Sequence, residues 1–126
     1  MTPEVEQALK EIKANFPDCN LISREDGEGG VYIIVEDVPL GTPYTQEITW
    51  VGFRITFQYP YSDVYPHFVQ GDLKRIDGKG LGEATSAGTF ENRAAIQISR
   101  KSNKLNPAVD TALLKLLKVL QWLKSR

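Results

Sequence analysis

Few residues in this chain carry reactive chemistry, and their spacing decides what they can do. There is one histidine, His67, and one cysteine, Cys19. A general base works with an orienting partner. The nearest acid before His67 is Asp63, four residues upstream in a proline-bounded stretch (YPYSDVYPHF) where that spacing fixes no geometry. Cys19 follows Phe16-Pro17-Asp18. A reactive thiolate needs a nearby cation, a histidine or a helix N-terminus; Asp18 acts the other way, so an inert thiol is expected.

One Cys and one His cannot supply a four-ligand zinc site or an internal disulfide from a single chain. The glycines of GKGLGE (78–83) follow no clear strand and lead into no evident helix, so they lack the context of a phosphate-binding loop. No G-x-S-x-G elbow occurs. These residues imply no cofactor, no metal and no catalytic set, and two openings stay on the table. One is an enzyme that uses His67, with Asp63 or a tyrosine, beside a pocket lined by the Gly71–Gly88 loop. The other is an aromatic corner, where Tyr44, Trp50, Tyr59, Tyr61, Tyr65 and Phe68 crowd about a proline-rich turn as packing anchors or as a recognition surface.

The elements that must position these residues follow from periodicity. Thr2 caps a first helix with Pro3, Glu4 and Glu6 in its first turn, and Val5, Ala8, Leu9, Ile12 and Phe16 form its apolar stripe up to Pro17. Val31 to Val38 reads as a strand. From about Glu47 to Gln58, Val51, Phe53, Ile55 and Phe57 alternate with Trp50, Gly52, Arg54 and Thr56, which is strand periodicity. The prolines of Tyr59–Pro66 stop that strand, a short strand follows near Phe68–Val69, and Gly71 to Gly88 reads as a long loop. Ala94 to Ser99 is a further short strand. A last helix spans about Ala108 to Lys124, with Leu113, Leu116, Leu117, Leu120 and Leu123 inward, Lys115 and Lys118 opposite, and Trp122 on the lysine side under a covering segment.

At 126 residues, 41% hydrophobic and 25% charged, the chain suffices for one domain, residues 1–126, of α+β class: an antiparallel meander with helices packed on it. No apolar run approaches the roughly 18 residues that cross a bilayer, and the acidic N-terminus is unlike a secretory signal, so no membrane partner and a cytoplasmic location are expected. The net charge of −1 hides a split. Residues 1–62 hold ten acids and four bases, and residues 63–126 hold six acids and eleven bases, an asymmetry expected to average out if the halves interleave. Nucleic-acid binding through Arg93, Arg100, Lys101 and Lys104 would need them on one face with exposed aromatics; Ile96 and Ile98 interrupt the run and the total charge is not basic, so it ranks last.

The motifs of the corner are shared with a family. Gly41-Thr42-Pro43-Tyr44, the strand ending Phe53-Arg54-Ile55-Thr56-Phe57, then Tyr59-Pro60-Tyr61 and Tyr65-Pro66-His67-Phe68 resemble the ubiquitin-conjugating-enzyme-like (UBC-like) superfamily and its RWD relatives. The resemblance runs from residue 1 to 123. It implies an N-terminal helix, a four-stranded antiparallel meander, a Pro-rich corner, a long loop and a C-terminal helix. It also implies a catalytic Cys in an Ile-Cys-Leu phrase after a His-Pro-Asn segment. Here Ile96-Gln97-Ile98 stands ten residues before Pro107 where that phrase would fall, so Gln97 takes the nucleophile position and no His-Pro-Asn precedes it. An amide forms no thioester, and the oxyanion asparagine is missing, with Asn92 only near in sequence. The resemblance therefore implies a divergent, bacterial-type member lacking the catalytic cysteine: a non-catalytic interaction domain for a protein partner, a ubiquitin-like protein or a component of its conjugation system. Tyr61, Tyr65 and His67 at the corner, with Asn92 and Gln97 at the vacated position, are its expected partner contacts.

Overall fold

The computed structural model describes residues 1–126. Thr2 caps α1 (Pro3–Asn15), its hydroxyl accepting from the Val5 amide at 3.2 Å, and the buried stripe is Val5, Ala8, Leu9 and Ile12. Six strands follow: β1 (Leu21–Glu25), β2 (Val31–Pro39), β3 (Ile48–Ile55), β4 (His67–Gln70), β5 (Thr85–Phe90) and β6 (Arg93–Ile98). The chain closes with α2 (Ala112–Lys124). All neighbours in the sheet are antiparallel and the strand order is β1-β2-β3-β4-β6-β5.

The α+β class holds. The sheet has six strands rather than four, because β1 and β5 form its two edges and β5 takes up the end of the expected Gly71–Gly88 loop. The last helix begins at Ala112, four residues later than expected; Asn106 and Asp110 organise a turn before it, and Thr111 caps it, accepting from the Leu114 amide. Its orientation also differs. Ala112, Lys115, Leu116, Val119, Leu120 and Leu123 are buried, while Leu114 and Leu117 are exposed, so Lys115 lies on the inner stripe and not opposite it. The spacing 112/115/116/119/120/123 is as good a helical stripe as the all-leucine one, and a carboxylate waits for the lysine (below).

Strand alternation divides the sheet into two faces. Val31, Ile33 and Val35 of β2, Val51, Phe53 and Ile55 of β3, His67 and Val69 of β4 and Ile98 of β6 point to the helices and form the main core with them. Two tyrosines of the sequence motifs clamp α2 at its ends. The Tyr59 hydroxyl accepts from the Ala112 amide at 3.0 Å, and the Tyr44 hydroxyl donates to the Leu123 carbonyl at 2.7 Å. Each satisfies a backbone group that a helix terminus leaves without an intrahelical partner.

The outer face carries a satellite core of Ile34, Phe90 and Ala95, with Tyr32, Trp50 and Phe68 against it. The Phe90 ring stacks on Phe68 at 4.9 Å and on Trp50 at 6.5 Å, and it lies over Gly52, where a Cβ would come within 2.6 Å of it. The β5–β6 hairpin thus folds across the sheet. Its tip is tied to the far side by Arg24–Glu91 (2.8 Å) and Arg93–Glu36 (3.1 Å). The Glu36–Arg93 pair joins the acidic half of the sequence to the basic half, as interleaving requires.

Candidate functional site

The five residues expected to contact a partner do not form one patch. Tyr61 stands on the corner with 80% of its surface exposed, and Phe57, at the other side of the Tyr59-Pro60 turn, is 55% exposed. Tyr65 is half-buried, and the Lys101 ammonium lies 5.3 Å from its ring centre. His67 is 1% exposed on the inner face of β4, 5.0 Å from the Phe53 ring, so it presents nothing to a partner.

Gln97 pairs with Phe68 across the β4–β6 ladder and so points to the other face from His67, its amide donating to Ser99 Oγ at 3.1 Å. Asn92 is at the hairpin tip. With Glu91 it makes the two-residue turn between the paired Phe90 and Arg93, both at positive φ (48° and 64°), the geometry of a type I′ turn that asparagine tolerates well. Asn92 is thereby a turn residue, five positions along the strand from Gln97, and the two do not share a site.

The environment of His67 argues against an acid–base role. Burial, followed by the nearby Lys115 charge, pushes its pKa down to about 3, with Asp63 opposing, so the ring is neutral at ordinary pH. Neither ring nitrogen has a hydrogen-bond partner. Cys19 is half-buried with its thiol directed to the Asp37 carbonyl, and burial plus the Asp37 and Asp18 charges push its pKa up. It is poorly suited to nucleophilic attack.

What the sequence reading missed lies beside the corner. Asp63 accepts from the Ser102 amide (2.7 Å), from Ser102 Oγ (2.8 Å) and, through both oxygens, from Lys115 Nζ (3.1 and 3.0 Å), and Lys115 also donates to Ser102 Oγ at 2.8 Å. Burial pushes the Asp63 pKa up, but these donors outweigh it and hold it below the usual carboxylate range. A serine beside a lysine suggests a nucleophile and its base. Here all three ammonium donors are spent on Asp63 and Ser102, and the serine hydroxyl donates to the Asp63 carboxylate, so the arrangement acts as a fastener joining the corner, the 99–104 segment and α2.

Next to it a cleft of about 300 Å³ opens between that segment and α2, with Arg100, Lys101, Ser102, Asn103 and Lys118 on its walls. Arg100 and Arg126 both lie over the Trp122 ring, at 4.9 and 4.5 Å, so the covering of Trp122 comes from two guanidiniums. Of the four bases considered for nucleic acid, Arg100 and Lys101 reach this cleft, while Arg93 is on the outer sheet face with Glu36. The signal in the sequence was the position of Lys115 between Ala112, Leu116 and Val119, an apolar spacing that a buried cation interrupts.

No helix is long and apolar enough to cross a membrane, and no group of three or more His, Cys, Asp or Glu side chains is arranged to hold a metal ion. Comparison with protein-family models, curated proteins and solved structures finds no match.

Proposed function

We propose that this chain is a non-catalytic UBC-like interaction domain that binds a protein partner, a ubiquitin-like protein or a component of its conjugation system, through the Tyr59–Tyr65 corner. The observation that carries the reading is Tyr61. A tyrosine with 80% of its surface exposed stands on a corner braced from beneath by the Tyr59 hydroxyl and by the Asp63–Lys115 pair. A tyrosine has only two side-chain torsions to fix on binding and supplies a large contact area, which is why it recurs among the residues that dominate interfaces. The resemblance of the corner motifs to the UBC-like family supports the class of partner, and the raised pKa of Cys19, together with Gln97 where that resemblance would put the nucleophile, supports a binding role over a transfer role.

The test mixes the chain with the ubiquitin-like protein and the activating enzyme of the same cell, with ATP, and resolves the products without reductant. Binding to one of the two proteins is expected, weakened at least about tenfold by Tyr61→Ala (about 1.4 kcal/mol), with no reductant-labile adduct. An adduct that disappears in Cys19→Ala, an affinity unchanged by Tyr61→Ala, or binding to neither protein overturns the reading.

A further inference from the structure

The basic cleft beside the corner has a charge surplus that the fold leaves unused. Seven ion pairs are formed within the chain, and Arg100, Lys101 and Lys118 take part in none of them. All three are exposed and line the cleft. The fourth cation there, Lys115, is matched by Asp63. The one carboxylate on the wall, Asp110, accepts from the Asn106 amide at 2.8 Å. In a chain whose total charge is −1, three unmatched cations against one carboxylate make a local positive site.

Two of these cations rest against rings of the chain itself, Arg100 over Trp122 at 4.9 Å and Lys101 over Tyr65 at 5.3 Å, contacts that weakly favour these orientations. A bias of a long side chain toward one orientation lowers the entropy cost of using it there. The same contacts weigh against a nucleic acid. Trp122 and Tyr65, the rings beneath Arg100 and Lys101, already carry cations and are poor platforms for base stacking, and Arg93, which would extend a basic track, is paired with Glu36 on the outer sheet face.

From this we infer that the cleft binds an acidic segment of the protein partner, with two or three carboxylates set against Arg100, Lys101 and Lys118. The inference rests on the reading of the chain as a protein-binding domain. The cleft adjoins the Asp63–Lys115 fastener, so a partner seated on the corner lays such a segment along it.

The experiment uses the full chain and a fluorescein-labelled hexaglutamate peptide, followed by anisotropy at low salt, with hexalysine, an oligo-dT strand and inorganic phosphate as comparisons. Binding of hexaglutamate is expected, weakening as salt rises, at least about tenfold weaker in R100E/K101E/K118E and unchanged in Tyr61→Ala. Should the triple variant lose its thermal unfolding transition, K101Q/K118Q serves instead, with a loss of at least about threefold. Equal affinity in the folded variant, oligo-dT bound more tightly than hexaglutamate, or displacement of the peptide by millimolar phosphate overturns the inference. Partner binding that is lost in Tyr61→Ala but kept in the folded cleft variant refutes the acidic segment alone; the reverse pattern refutes the corner.

Discussion

Replacing His67 by leucine removes most of the dependence of stability on pH between about pH 7 and about pH 5. His67 is the single histidine, it is 1% exposed, and neither ring nitrogen has a partner. Burial lowers its pKa in the folded state from an ordinary 6.5 to about 3. The unfolded chain therefore takes up a proton in this window and the folded chain does not. By linkage, stability is full above the unfolded value of 6.5 and falls as the pH drops below it, until the folded value near 3 is reached.

The slope is about 1.4 kcal/mol per pH unit, which amounts to about 2 kcal/mol between pH 7 and pH 5. Carboxylates with lowered pKa values titrate below that window, and the N-terminal amine, whose pKa is raised from 8.0, above it. Urea unfolding at both pH values, for the wild type and His67→Leu, measures the difference. A loss of about 2 kcal/mol in the wild type against little in the variant is expected, with the leucine chain at least as stable at neutral pH because two unsatisfied nitrogens leave the core. A wild-type profile flat to within about 0.5 kcal/mol, or an equal slope in both proteins, refutes the buried neutral imidazole.

Two further outcomes are expected. Asp63→Ala leaves Lys115, with a side chain 10% exposed, without its carboxylate and costs about 2–3 kcal/mol; this is below the cost of breaking a fully buried pair because the Asp63 side chain is 22% exposed, and the double variant Asp63→Leu/Lys115→Met recovers most of it in denaturant titration. Phe90→Ala empties the satellite core and costs about 3 kcal/mol of global stability, with amide exchange in β5 and β6 rising before that of β2 and β3.

Much of the fold was legible because burial writes a period into the sequence. Val51, Phe53 and Ile55 alternate on β3, and the α1 stripe repeats at helical spacing, since each has one face in the main core. β1 and β5 were illegible for the converse reason. As edge strands they bury little: in Leu21–Glu25 only Leu21 is even half-buried, and in Thr85–Phe90 every residue before Phe90 is Thr, Ser, Ala or Gly. Lys115 was misplaced because a lysine on an apolar stripe reads as a solvent-facing residue until Asp63, 52 positions away, is brought to it. The same limit applied at the corner. The motif tyrosines were visible, but nothing local separates Tyr59, which holds α2, from Tyr61, which faces solvent.

The β5–β6 hairpin has a consequence for how the molecule assembles. Its two strands are joined by a two-residue turn and pair over six residues, so the hairpin can close from neighbouring residues alone at small loop-closure cost. The strand order puts β6 beside β4 and β5 outside it, so β5 has no place in the sheet until β6 is made. Arg24, Glu36 and the rings of Trp50 and Phe68 belong to strands made earlier in the chain and receive the hairpin tip. During synthesis Tyr32, Ile34, Trp50 and Phe68 of the first four strands therefore stand uncovered on the outer face until the hairpin brings Phe90 onto them, while the inner face waits longer still, for α2.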